Sequence, residues 1–267
     1  MIKYDYHLHT NYSSDSAADM EDVIKRAVSL GLEEIIFTDH WDYVYPDKYF
    51  PYQINYNDYI INLDRLKYLY KDKIRIILGV EIGIGPHLGP AVSKFVSKYN
   101  FDFVIGSIHD INGKDLYLDN YFDGLTKEDA YNGYFNYFVD SVRAVADINV
   151  LGHIDYASRY GNFEDPEVRY DEYSEIIDIL LKETISRGKG IEINTSGFRY
   201  GINNVYPQMK ILKKYKEFGG EIITVGSDAH KACDVAKDFD KAYAILKEAG
   251  FSYITLFRNR KPEFVKI

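Results

Sequence analysis

Thiols are nearly absent from this chain: of 267 residues one is cysteine, Cys233. No intrachain disulfide can form, and a reducing cytoplasm is the expected compartment. Three residues after His230, Cys233 is read as a small, partly buried thiol near a helix start rather than as a ligand. No run reaches the roughly eighteen apolar residues of a membrane-spanning helix, so no membrane partner is expected. Basic charge is also short, with 32 Lys and Arg against 41 Asp and Glu and a net charge of −9. That balance lacks the basic stripe of a nucleic-acid surface. Bound metal ions could still supply local positive charge for a phosphate. The opening MIKYDYHLHT has no signal-peptide pattern, and no internal repeat, low-complexity run or flexible linker interrupts the chain. Length and composition, 46% hydrophobic and 27% charged, fit one globular domain over residues 1–267.

Histidine placement carries more information than histidine number. Six of the seven stand where strands are predicted to end: His7 and His9 in YDYHLHT, His40 in IIFTDH, His109 in VIGSIHD, His153 in VLGHID and His230 in VGSDAH. Asp15, Glu81 in LGVEIG and Asp228 bring the possible ligands to nine. A core needs no imidazoles at one recurring location. Neutral imidazole with carboxylate suits zinc, manganese or iron, and nine ligands exceed what one ion can use. A polynuclear metal centre is expected. His87, between two prolines in GPHLGP, is read as an exposed loop histidine.

Short β-rich runs at residues 2–8, 34–38, 74–82, 103–108, 150–154, 190–194, 222–225 and 253–256 alternate with helical patterns. That alternation predicts βα units and a parallel sheet. Met20, Val23, Ile24, Ala27 and Leu30 make one helical face that Gly31 ends. A second helix opens at Asn57 or Asp58, and Thr126 to Asp129 start another as an approximate capping box. Gly188, Gly219 and Gly250 close three later helices. The expected fold is a single irregular (β/α) barrel of seven or eight mostly parallel strands. Barrel sites lie at the C-terminal strand ends, where these ligands fall. The segments 43–56 and 110–125 are long, polar and aromatic, and are read as pocket-building loops.

His7 and His9, at i and i+2 of one strand, share a face and can reach one ion. HxH alone is common. Joined to TDH at 40, GSIHD at 109, GHID at 153 and GSDAH at 226–230, it resembles the polymerase and histidinol phosphatase (PHP) superfamily, from His7 to His230. GHIDYASRYG at 152–161 and IEINTSGFRYG at 191–201, before Tyr206-Pro207, are most similar to its stand-alone histidinol-phosphate phosphatases.

The resemblance implies a distorted barrel holding three metal ions. His7, His9, Glu81 and Asp228 would hold one, Glu81, His109 and His153 a second, and Asp15, His40 and His230 a third. Asp15 also reads as a helix-entry turn residue. The implied reaction is hydrolysis of L-histidinol phosphate to L-histidinol and phosphate, in histidine biosynthesis, by a metal-bridging hydroxide attacking phosphorus. Glu81 would bridge, Asp228 would be ligand or proton acceptor, and Arg159 and Arg199 would clamp phosphoryl oxygens through their planar forks. Asp42 would meet the amine or imidazole of the substrate, or remain a solvated loop residue. The main alternative is a PHP phosphoesterase acting on nucleotides or nucleic-acid ends. A non-catalytic metal-stabilised module and an amidohydrolase fit the motifs less well. Oligomeric state is not readable from the sequence.

Overall fold

Strands and helices alternate as the periodicity predicts in a computed structural model, which describes residues 3–43, 54–118 and 121–267. In chain order the first half comprises β1 (Tyr4–Leu8), α1 (Met20–Ser29), β2 (Glu34–Phe37), β3 (His40–Trp41), α2 (Tyr56–Tyr70), β4 (Arg75–Gly83), α3 (Gly89–Val96), β5 (Phe103–Ser107), β6 (Asp110–Ile111) and β7 (Lys114–Asp115). The second half comprises α4 (Lys127–Ala144), β8 (Val150–Leu151), α5 (Ser174–Ser186), β9 (Gly190–Asn194), α6 (Met209–Glu217), β10 (Ile223–Gly226), α7 (Phe239–Glu248), β11 (Tyr253–Arg258) and β12 (Lys261–Lys266).

Seven parallel strands run in the order β1-β2-β4-β5-β8-β9-β10, with β3 pairing further along β4. Beyond β10 the chain returns to β1. Asp228 N–H donates to the His7 carbonyl at 2.8 Å and His9 N–H to the Ala229 carbonyl at 3.0 Å. The sheet thereby curls into a nearly closed barrel, in agreement with the sequence.

Helix ends follow the capping rules. Asp19 accepts from the Glu21 and Asp22 amides at 2.9 and 3.2 Å, and Thr126 accepts from Asp129 N–H at 3.1 Å. Each such cap contributes about 1 kcal/mol. Past the helices Gly188, Gly219 and Gly250 take φ of 67°, 89° and 92°, a region open to glycine at no steric cost.

Three local expectations change. The eighth predicted strand does not join the parallel sheet but pairs antiparallel with β12 as a hairpin. It closes the barrel end remote from the ligands: Phe257 N–H donates to Tyr6 Oη at 3.1 Å, and Arg258 meets Glu34 at 2.5 Å. Within the 110–125 segment, read as a loop, β6 and β7 form a small hairpin, and residues 119–120 lie outside the described residues. Cys233 is exposed rather than partly buried, because it lies in a short 3-10 turn preceding α7. His87 is exposed, as read from its prolines. Of the predicted 43–56 loop, residues 44–53 lie outside the described residues, and so does Ile2. Among the described residues no helix is long and apolar enough to cross a membrane.

Candidate metal centre

Glu81 occupies the middle of the site because strand register puts it there. On β4 it lies opposite His40 of β3 on one side and Ile105 of β5 on the other. Its two oxygens face different histidines. Oε2 is 3.0 Å from His7 Nε2, 3.3 Å from His9 Nε2 and 3.3 Å from His40 Nδ1. Oε1 is 2.9 Å from His153 Nε2 and 3.3 Å from His109 Nε2, and accepts from Ser107 Oγ at 2.6 Å.

Asp228 Oδ1 lies 3.4 Å from His9 Nε2, 3.5 Å from His230 Nδ1 and 3.7 Å from His7 Nε2. Its φ of 53° is left-handed, which an aspartate tolerates better than most residues. Asp15 Oδ2 is 3.0 Å from His230 Nε2 and 3.4 Å from His40 Nε2. All nine predicted ligands therefore meet at one rim. The Asp15–His230 side is the more open: these side chains are 29% and 22% exposed, while His7 and Glu81 are at most 1%.

The donor set fits metal ions. His7 Nδ1 lies 2.7 Å from Glu192 Oε1, and a carboxylate can only accept, so Nδ1 carries the proton. The Nε2 lone pair then points into a cluster of anionic oxygens and, at 3.0 Å, toward His9 Nε2. Lone pairs and anions converging in a buried space call for a cation. Among the described residues four sets of donor atoms are close enough to share one: His7, His9 and Glu81; Glu81, His109 and His153; His9, His40 and His230; and His40, Asp42 and His109. Divalent metal use follows from this chemistry. The titration directions show the same demand for positive charge. Burial would push Glu81 and Asp228 up, but the surrounding imidazoles hold both well below the carboxylate range. Burial would push His7 down, yet Glu192, Glu81 and Asp228 raise it well above its usual value.

A second ring of groups orients the histidines, as hydrogen-bonded metal ligands require. Asp42 belongs to this ring. Its Oδ2 is 2.8 Å from His109 Nδ1 and its Oδ1 accepts from Gly83 N–H at 2.5 Å. The expected substrate contact at Asp42 is corrected accordingly: the side chain is buried beneath His109, with both oxygens engaged. Gly83 permits that approach, since a Cβ there would meet Asp42 Oδ1 at 2.4 Å. His9 Nδ1 is 3.3 Å from Ser13 Oγ, which donates to Asp39 at 2.7 Å. Sequence reasoning missed Glu192, Asp39 and Ser13. The available signals were one charge inside the apolar strand GIEIN and the aspartate of the TDH motif.

The rim opens into a cavity of about 640 Å³ lined also by Asp19, Asp22, Asp115, Tyr117, Tyr156, Arg159, Tyr160 and Tyr200. Asp115 and Tyr117 come from the 110–125 segment read as pocket-building. The Arg159 guanidinium stacks on the Tyr200 ring, 3.2 Å from its centroid. Arg199 Nη2 donates to the Ser227 and Asp228 carbonyls at 2.5 and 3.0 Å. Its buried Nη1 has no partner among the described residues.

A PHP domain model matches residues 5–196. The histidinol-phosphatase of Lactococcus lactis subsp. lactis (strain IL1403) is 34% identical over 263 residues, covering 98% of this chain and 96% of that one. A probable histidinol-phosphatase of Clostridium acetobutylicum is 37% identical over 271 residues, with the same coverage of 98% and 96%. The crystal structure of the histidinol phosphate phosphatase from Lactococcus lactis subsp. lactis Il1403, complexed with zinc, L-histidinol and phosphate, superposes with a TM-score of 0.92 at 33% identity over 98% of both chains. With a family model matched over more than half its length and full-length relatives above 30% identity, the chain belongs to the PHP domain family.

Proposed function

We propose that this chain is a metal-dependent phosphatase that hydrolyses L-histidinol phosphate to L-histidinol and phosphate, a step of histidine biosynthesis. The observation that carries the reading is Glu81, whose two oxygens face separate sets of imidazoles beside a cavity with an arginine in its wall. The relatives add the substrate, because the Lactococcus protein was crystallised with L-histidinol and phosphate. The catalytic unit is the whole of residues 1–267, since the ligands Asp228 and His230 fall beyond the 5–196 match. An exposed free thiol accords with a reducing cytoplasm.

Three ions would be held by His7, His9, Glu81 and Asp228, by Glu81, His109 and His153, and by Asp15, His40 and His230. Zinc, manganese and iron all suit these donors. When bound, such ions make water a nucleophile at neutral pH and offset charge on the phosphoryl oxygens. The protein's own groups do the rest. Arg159 lines the cavity with its planar fork, whereas Arg199 is not among the lining residues and would have to turn its buried Nη1 outward to meet a phosphoryl oxygen. Asp228, on the cavity wall, would serve either as a ligand or as acceptor of a proton from the attacking water, two roles that compete. Tyr117, Tyr156, Tyr160 and Tyr200 offer ring faces and edges to an imidazole, while Asp19 and Asp22 give the lining a negative charge that suits an ammonium.

Phosphate release tests the reading. The metal-loaded protein should have a kcat/KM for L-histidinol phosphate roughly ten- to 150-fold above that for an aryl phosphate, the worth of one charge-assisted contact to the amine. Equal values would leave a phosphatase of unassigned substrate. Faster turnover of a dinucleotide would replace the reading with action on nucleic-acid ends.

A further inference from the structure

We infer that Glu192 is a positioning residue that holds ligands of two metal subsites, His7 and His153, in one register. The inference rests on the metal-centre reading above. Glu192 lies on β9, between β8 and β10, and is wholly buried. Oε1 is 2.7 Å from His7 Nδ1 on β1. Oε2 accepts from the His153 backbone N–H at 3.2 Å and from Asn194 Nδ2 at 3.0 Å. One side chain thus ties a ligand on the first strand to a ligand after β8.

Each tie does something the ligand cannot do alone. A carboxylate at Nδ1 fixes the His7 tautomer and leaves Nε2 as the lone pair that faces Glu81 and Asp228. His153 has a φ of 21°, outside the usual regions for a non-glycine residue. Its Nδ1 is buried without a hydrogen-bond partner among the described residues. Beside ring contacts with Tyr156, His109 and His7 at 4.4, 5.8 and 6.0 Å and the bond from Tyr156 N–H to the His153 carbonyl at 2.8 Å, the backbone bond to Glu192 helps to set where His153 Nε2 points, 2.9 Å from Glu81 Oε1.

The fold leaves room for this arrangement. A Cβ on Gly226 would stand 2.1 Å from Glu192 Oε1 and 2.4 Å from His7 Cβ. With both oxygens engaged, Glu192 belongs to none of the donor sets that could hold an ion, so it acts through the two histidines.

Glu192→Gln keeps the shape but offers one acceptor oxygen, which cannot serve both His7 Nδ1–H and His153 N–H. Zinc is the probe. Competition with a chelator should show zinc retention about 10- to 100-fold weaker in the variant, the usual effect of removing a group that orients a metal ligand. In the ¹⁵N spectrum of the zinc-loaded wild-type protein, His7 should be protonated at Nδ1 and metal-bound at Nε2, and the variant should lose that signature. Unchanged zinc retention in the variant, or His7 bound through Nδ1 in the wild type, overturns the inference while the metal centre stands. A wild-type protein that takes up no zinc overturns both. If the variant fails to fold, the wild-type spectrum still decides.

Discussion

Glu81→Gln should lower kcat/KM by at least roughly 10²- to 10³-fold, the loss expected when one preorganised electrostatic group is removed. The substitution is nearly isosteric, so the barrel should persist. What disappears is the negative charge shared by His7, His9 and His40 on one oxygen and by His109 and His153 on the other. The new amide also places N–H groups against imidazole nitrogens whose lone pairs face inward. Elemental analysis beside the kinetics separates the causes: zinc content should fall with activity. A variant with full zinc and wild-type kcat/KM would remove Glu81 from the bridging position.

Arg199→Ala should cost roughly ten- to 150-fold in kcat/KM, from the 1.5–3 kcal/mol of a hydrogen bond to a charged group. The side chain has two tasks. Nη2 holds the Ser227 and Asp228 carbonyls, whereas Nη1, without a partner among the described residues, is the atom proposed for phosphate. Inhibition by inorganic phosphate distinguishes them, and should weaken by a similar factor while zinc content stays unchanged. If zinc is lost and phosphate inhibition persists, Arg199 serves only to hold Asp228 in place.

The candidate ligands were legible because each departs from what packing would choose at its own position. His40, His109 and His153 sit at the ends of apolar strands, where a core would have placed another aliphatic residue. Their supports were harder to read. Glu192 is a lone charge in a five-residue strand, and its meaning depends on His7, 185 positions away. Asp42 follows a candidate ligand and precedes a loop, a position that points to solvent or substrate as its partner; only the pairing of β3 with β4 turns it under His109. The helix α3 begins among GPHLGP, where proline suggests a loop, although proline is well tolerated in a first helical turn. The strand at 253–256 was visible as a strand but its partner was not. Its turn has Asn259 and Arg260 at φ of 49° and 63°, without the Asn-Gly pair that announces a tight hairpin.

Zinc titration into metal-free protein, followed by phosphate release from L-histidinol phosphate, tests the central claim most directly. The stripped protein should be inactive, and activity should climb beyond the second equivalent, because the more open Asp15–His40–His230 set is the last to fill. Full activity in the stripped protein, or a plateau at one equivalent, would contradict a trinuclear phosphatase built on these nine ligands.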